Sequence, residues 1–236
     1  MKLSLNLLVV GALLASASFS HAALADWQNQ VTSVGATPAA TVFSTTSGSS
    51  PALVDVGALS GDSSFEFIVN AGAGGASSAF LGTRSMNGNQ GLKFEQWQDS
   101  GVYGITVFGV VDLYSGATAT LGVDTHVAFV SDGASGTDLY VNGALAHSFA
   151  GTPLALTGMQ GLAGISDGGA ATFFDILDGN ILGFASYDSA LSAAEVFDHY
   201  NYFAVIPEPS TLALLGLAGL GLLGAMLQRR RRQALR

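Results

Sequence analysis

The sequence predicts an all-β sandwich that ends in one short helix, flanked by an N-terminal signal peptide and a C-terminal transmembrane helix. Three observations predict the sandwich: short runs that alternate apolar and polar residues, clusters of Gly, Ser, Asn and Asp between these runs, and a single clear helical pattern near residue 200. A parallel α/β sheet requires helical patterns between its strands, and the sequence has few of them.

Residues 1–25 are predicted to form a secretory signal peptide. Lys2 precedes the apolar run 5–14, and small residues offer cleavage sites after Ala25 or Ala22. The alternative is an N-terminal membrane helix that is retained, but the apolar run is too short to cross a bilayer. We therefore expect the mature domain to begin near Asp26.

Residues 26–206 carry a strong negative charge and are numerous enough for one domain with a sizeable core. Sixteen acidic side chains stand against two basic ones, Arg84 and Lys93, which gives a formal net charge of −14. This balance excludes nucleic acids and anionic lipid headgroups as partners, because both require clustered Lys and Arg. It is compatible with divalent cations or neutral glycans. The chain has no cysteine, so the fold depends on a packed core without disulfides.

The strand patterns predict which side chains face the core. Three apolar sets each share one strand face: Phe65, Phe67 and Val69; Tyr103, Ile105 and Val107; Val127 and Phe129. Glu66 lies on the opposite side of its strand, so we expect it to face solvent or a concave groove. Asn142-Gly143 separates two apolar runs and predicts a two-residue type I′ hairpin. The small-residue stretches 70–80 and 165–172 are predicted to be loops.

One helix is predicted near the end of the domain. Ser192 and Glu195 have the spacing of a capping box, and Leu191 and Val196 have the spacing of a hydrophobic staple. These signals predict a helix from Ala193 to about residue 200, which we expect to cover one end of the sandwich.

Two segments together resemble a known family. THVAFVSDGASGTDLYVNGALA (125–146) and DILDGNILGFASYDSALSAAEV (175–196) are similar to the hairpin and the closing segment of laminin-G-like, concanavalin A-like jelly-roll domains. The resemblance covers residues 60–202 approximately and implies a jelly roll over residues 26–204. Many relatives carry an Asp-Glu pair before the final strand, whereas this chain is apolar at that position.

The last segment, residues 205–232, resembles the PEP-CTERM sorting signal. It contains the triplet Pro207, Glu208 and Pro209, an apolar helix predicted at 211–227, and the basic residues Arg229, Arg230, Arg231 and Arg232. The apolar helix would be about 25 Å long, and the arginines favour a cytoplasmic end. The resemblance implies recognition by an exosortase of Gram-negative bacteria, cleavage near the triplet, and transfer to the cell surface or exopolysaccharide matrix. The alternative is a plain stop-transfer anchor.

Lys93, Glu95 and Trp97 are the candidate ligand-binding residues. Their spacing of two places them on one strand face, and an acid beside an exposed Trp suits sugar stacking. The alternative is a Trp that fills the core. The carboxylate spacing of jelly-roll glycoside hydrolases, Glu-x-Asp-x-x-Glu, is missing from the sequence. The histidines form no spaced pair, so neither a zinc site nor a Ser-His-Asp triad is supported.

Calcium is the one cofactor that the sequence brings into consideration. It binds carboxylate and carbonyl oxygens, and two Gly-rich loops carry acidic pairs, Asp132 with Asp138 and Asp167 with Asp175. The alternative is that these are solvated turn aspartates.

The expected function is that of an exported, non-catalytic cell-surface or exopolysaccharide-matrix protein. Its jelly roll is expected to bind glycan or another surface partner, and an exosortase is the expected processing enzyme. Two alternatives remain open: a secreted carbohydrate-active enzyme of the concanavalin A-like fold, and a purely structural matrix component.

Overall fold

The computed structural model of the chain describes residues 24–31, 46–47, 51–59, 61–72, 77–97 and 101–204. One compact unit spans Leu24–Phe203. Residues 1–23 of the predicted signal peptide and the predicted sorting segment at 205–232 lie outside the described residues. Within the described ranges, no helix is both long and apolar enough to cross a bilayer.

Strands make up most of the described chain, and a helix stands at each end of the unit. The elements in chain order are α1 (24–31), β1 (Thr46–Ser47), β2 (Ala52–Asp55), β3 (Ser63–Ala71), β4 (Ser78–Arg84), β5 (Gln90–Glu95), β6 (Val102–Val107), β7 (Val111–Thr118), β8 (Thr125–Asp132), β9 (Gly136–Val141), β10 (Ala144–Ala150), β11 (Met159–Leu162), β12 (Ile165–Asp167), β13 (Ala170–Phe174), β14 (Gly179–Tyr187) and α2 (Ala193–Ala204).

The strands form two sheets, and the architecture is the predicted jelly-roll sandwich. The first sheet is antiparallel and has the strand order β1-β14-β3-β8-β9-β10. The second sheet has the order β13-β12-β4-β5-β6-β7, and β11 joins it by pairing with both β2 and β4. The pairing of β12 with β4 is parallel. Strands distant in sequence therefore become neighbours, as β14 and β3 do.

The main core lies between the two sheets and is rich in aromatic side chains. Phe67 of the first sheet stacks on Phe80 of the second with ring centroids 4.9 Å apart. The predicted inward sets are confirmed except for Val107, which is only partly buried because it stands at the end of β6. The other predicted members are buried in this core: Phe65, Val69, Tyr103, Ile105, Val127 and Phe129.

The outer face of the first sheet is also buried, beneath the two helices. Ile68, Ala128 and Tyr187 of this face cluster with Trp27 of α1 and Val196 of α2. The expectation that the C-terminal helix covers one end of the sandwich was therefore wrong, because α2 lies on a sheet face. Helix α1 was not predicted, since its residues overlap the end of the predicted signal peptide.

Local sequence signals correctly predicted one hairpin turn and one helix cap. Asn142 and Gly143 have φ values of +50° and +75° and join β9 to β10, with Val141 paired to Ala144, so the predicted two-residue hairpin is confirmed. The capping box is also present, because the Ser192 amide donates to Glu195 Oε2 at 2.7 Å.

The two loops predicted from small residues were wrong in part. Residues 165–172 form part of the β12–β13 hairpin, which turns at Gly168 and Gly169. Of the predicted loop 70–80, residues 70–71 end β3 and residues 78–80 begin β4, while residues 73–76 lie outside the described residues. Small residues do not prevent pairing where neighbouring strands supply the partners, and tertiary context overrides local propensity here.

Candidate functional site

A groove of about 520 Å³ lies on the face of the second sheet that points away from the core. Strand alternation explains its floor: Leu92 and Phe94 point into the core, so Lys93 between them points to the opposite face. The turn between β6 and β7 forms one wall. The groove is lined by Ser77, Lys93, Trp97, Asp175 and residues 106–112.

An ion pair with a buried lysine forms the floor of the groove. The Lys93 ammonium donates to Asp175 Oδ2, and its side chain is 1% exposed whereas that of Asp175 is 28% exposed. Burial lowers the pKa of Lys93, and the negative charges of Asp175 and Asp112 act in the opposite direction. The cation is thus held beneath the surface by one carboxylate, with a second carboxylate nearby.

An exposed aromatic side chain, Trp97, forms the rim, and a second one, Tyr114, contacts its backbone. Trp97 is 50% exposed and lines the groove, while Tyr114 on β7 is 40% exposed. The Tyr114 hydroxyl donates to the backbone carbonyl of Trp97 at 2.8 Å. The core-filling alternative for Trp97 is therefore wrong, because half of its surface faces solvent.

The buried Gln96 side chain positions this rim. Its Nε2 donates to the Leu113 carbonyl at 3.0 Å, and its Oε1 accepts from the Trp97 amide at 2.9 Å. The Thr106 hydroxyl lies 2.9 Å from the same Oε1 and 2.7 Å from Asp112 Oδ1. One polar network therefore connects Trp97 to Asp112 across β6 and β7.

Glu95 does not join Lys93 and Trp97 in the groove. It is 4% exposed and accepts from the Ser78 hydroxyl at 3.2 Å. Burial raises its pKa, the Ser78 hydrogen bond lowers it, and the charge of Asp178 raises it further, with a net shift upward. Of the three predicted residues, Lys93 and Trp97 line one groove, and Glu95 packs beside it.

A second polar cluster surrounds Glu66, beneath the helices. Expected to face solvent or a groove, Glu66 is instead fully buried, because α2 covers this face of the sheet. Its Oε2 accepts from the Tyr187 hydroxyl at 2.7 Å and lies 2.9 Å from His199 Nδ1, and its Oε1 lies 3.2 Å from His126 Nε2. Burial raises the pKa of Glu66, but hydrogen bonds from the two histidines outweigh burial and lower it to about 2.

The sequence pattern did not reveal this cluster. Glu66, His126 and His199 come from β3, β8 and α2, and no spacing in the sequence connects them. Within the described residues, no group of three or more His, Cys, Asp and Glu is arranged to hold a metal ion. The cluster thus joins α2 to the first sheet through one buried carboxylate.

The four aspartates considered for calcium each have a protein partner. Asp132 Oδ1 accepts from the Ala134 amide at 2.9 Å, and Asp138 Oδ1 accepts from the Ser148 hydroxyl. Asp167 lies 3.6 Å from Arg84, and Asp175 pairs with Lys93. Asp132 and Asp138 both line a smaller cleft beside the start of α2, whereas Asp175 lines the groove. Calcium binding stays a prediction.

Two family profiles match the sequence of this chain. The profile of the concanavalin A-like lectin/glucanases superfamily matches residues 29–197. The chain belongs to this superfamily. The PEP-CTERM protein-sorting motif matches residues 205–232, which confirms the second resemblance. This motif indicates that the chain is exported and is held transiently in the membrane before an exosortase processes it.

Solved structures share the superfamily fold at low sequence identity. Domain 4 of AbnA, a GH43 extracellular arabinanase from Geobacillus stearothermophilus in complex with arabinotriose, has a TM-score of 0.54 and 19% identity, and the match covers 68% of this chain and 81% of that chain. The heptameric SAP-like pentraxin of Limulus polyphemus has a TM-score of 0.50 and 16% identity, covering 62% and 74%. At these identities the likeness shows the fold. No curated protein matches the chain.

Proposed function

We propose that this chain is an exported, non-catalytic surface or exopolysaccharide-matrix protein, and that its groove binds glycan. The observation that carries the proposal is the half-exposed Trp97, which is held by Gln96 and Tyr114 beside the polar side chains of Thr106 and Asp112. A sugar ring offers an apolar face to an aromatic side chain and hydroxyl groups to polar ones, and binding sites combine these two features.

The carboxylates of the groove support binding rather than hydrolysis. Glycoside hydrolases require one carboxylic acid and one carboxylate, on either side of the scissile bond. Asp175 is engaged by Lys93, and Asp112 accepts from Thr106. Glu95, whose pKa is raised by burial, lies beside the groove and not among its lining residues.

The superfamily and the sorting motif support the same function. An exosortase substrate reaches the cell surface or the extracellular matrix, where polysaccharide is abundant. The similar arabinanase domain was solved with arabinotriose, which shows that this fold accommodates an oligosaccharide in that protein. Glycan binding by the present chain is our proposal.

The test is a glycan array probed with the purified full-length protein, with calcium and with a chelator. Trp97→Ala is expected to weaken binding at least about tenfold, equivalent to about 1.4 kcal/mol. Phe197→Ala is the matched control, because Phe197 is 51% exposed but lies on α2, over the other sheet. The proposal is contradicted if both variants lose the same amount of glycan affinity, or if Trp97→Ala binds glycan as tightly as wild type. Release of shortened sugars would support the enzyme alternative instead.

A further inference from the structure

We infer that the groove accepts uncharged, hydroxyl-rich glycans and rejects glycans that carry carboxylate or sulfate groups. This inference rests on the proposed function and specifies the ligand class of the same groove. It follows from where the two cations of the domain lie and from what each one contacts.

Anionic sugars are recognised in proteins by arginine or lysine, through charge-assisted hydrogen bonds. Between residues 26 and 206 the chain has two such side chains, Arg84 and Lys93. Arg84 lies 3.6 Å from Asp167, and its guanidinium carbon is 4.2 Å from the centroid of the Phe174 ring. Lys93 is paired with Asp175. Both cations therefore already have an aspartate partner.

Lys93 cannot easily exchange Asp175 for a ligand. Its side chain is 1% exposed, so an anionic sugar above the groove reaches the carboxylate of Asp175 before the ammonium. Removing Asp175 from this contact leaves the buried ammonium without a counter-charge, which is destabilising. An acidic glycan in the groove therefore lies closer to the Asp175 carboxylate than to the Lys93 ammonium.

The charges nearest to a bound ligand are negative. Asp112 and Asp175 both line the groove, and the domain around them has a net charge of −14. At physiological salt the Debye length is about 8 Å, so these two carboxylates act on a ligand in the groove without full screening. They repel uronate, sialate and sulfate groups, and they accept hydrogen bonds from sugar hydroxyls.

The experiment compares matched pairs of probes that differ in charge and share a backbone. Suitable pairs are lactose with sialyllactose, galactotetraose with tetragalacturonate, and dextran with dextran sulfate. The full-length protein is titrated with each at neutral pH and physiological salt. In every pair with at least one member that binds, we expect the neutral member to bind at least about tenfold more tightly than the acidic one. This factor corresponds to about 1.4 kcal/mol. Equal or tighter binding of the acidic members overturns the inference while leaving glycan binding intact. If no probe or array glycan binds, the proposed function fails, and the inference fails with it.

Asp112→Asn tests the electrostatic cause directly. The variant removes one groove carboxylate, keeps the side-chain volume, and leaves the Lys93–Asp175 pair in place. We expect the preference for neutral members to fall several-fold, through tighter binding of the acidic ones. Asp138→Asn is the control, because Asp138 lies on β9 of the other sheet. The role assigned to the groove charge is contradicted if Asp112→Asn keeps the wild-type preference for neutral probes. It is also contradicted if both variants reduce that preference equally.

Discussion

Replacing Glu66 is expected to destabilise the packing of α2 on the first sheet. The carboxylate is the common partner of Tyr187, His126 and His199, and all four side chains are buried. Glu66→Ala leaves three polar groups without their acceptor, and each such group costs about 1–3 kcal/mol when buried. Because removing one partner of a buried ionic network costs about 3–5 kcal/mol in total, we expect a loss in that range.

The assay is thermal and urea unfolding of the full-length protein in mild detergent. For a domain of this size, 1 kcal/mol corresponds to a Tm shift of about 2–4 °C, so Glu66→Ala is expected to lower Tm by about 6–20 °C. Glu66→Gln keeps the volume and one acceptor oxygen, so it is expected to lose about 1–3 kcal/mol.

Glu95→Gln is the matched control, since Glu95 is also buried but accepts from the Ser78 hydroxyl alone among the hydrogen bonds described for it. Its pKa is raised by burial, so its charge is not stabilised by folding, and neutralising it is expected to change stability by less than about 1 kcal/mol. The reasoning is refuted if Glu66→Gln is as stable as wild type, or if Glu95→Gln loses as much as Glu66→Gln.

The same comparison has a defined dependence on pH. Folding lowers the pKa of Glu66 from its ordinary value of 4.5 to about 2, so its ionised form stabilises the folded state. That contribution is fully present above pH 4.5 and is lost as the pH falls toward 2. The stability difference between wild type and Glu66→Gln is therefore expected to shrink over this interval, and a difference that grows there contradicts the assignment.

Three further predictions concern the hairpin, the helix cap and the tail. Gly143→Val places a β-branched residue at φ +75° and a Cβ atom 2.9 Å from the Tyr200 ring, so we expect urea unfolding to show a loss of about 1–3 kcal/mol. Gly151→Val, at φ +69° in open space, is expected to lose less, and equal losses would argue against the contact with Tyr200. Ser192→Ala removes the cap of α2 and is expected to lower the free energy of unfolding by about 1 kcal/mol in the same assay. A change near zero would contradict the role of the cap. Glu208→Ala removes the charge of the sorting triplet, so in a host with the processing enzyme a blot is expected to show uncut precursor in the membrane fraction; release as in wild type would indicate a plain membrane anchor.

The sequence by itself determined the features that depend on neighbouring residues. Alternation along β3 and β8 identified which aromatic side chains enter the core, because successive side chains of a strand point to opposite faces. The Asn142-Gly143 turn and the Ser192 cap were also readable, since a positive φ and a capping hydroxyl are local requirements. The sorting motif is a linear signal, and its three parts are contiguous in the chain.

The tertiary structure alone decided what lies on the outer faces of the two sheets. Alternation shows that Glu66 and Lys93 point away from the core, but it does not show what covers them. Helix α2 covers Glu66 and brings His199 to it, whereas the face above Lys93 stays open as a groove with Trp97 at its rim. The physical reason is that contacts between elements far apart in sequence depend on how sheets and helices pack, and the pattern of each strand is the same for either outcome.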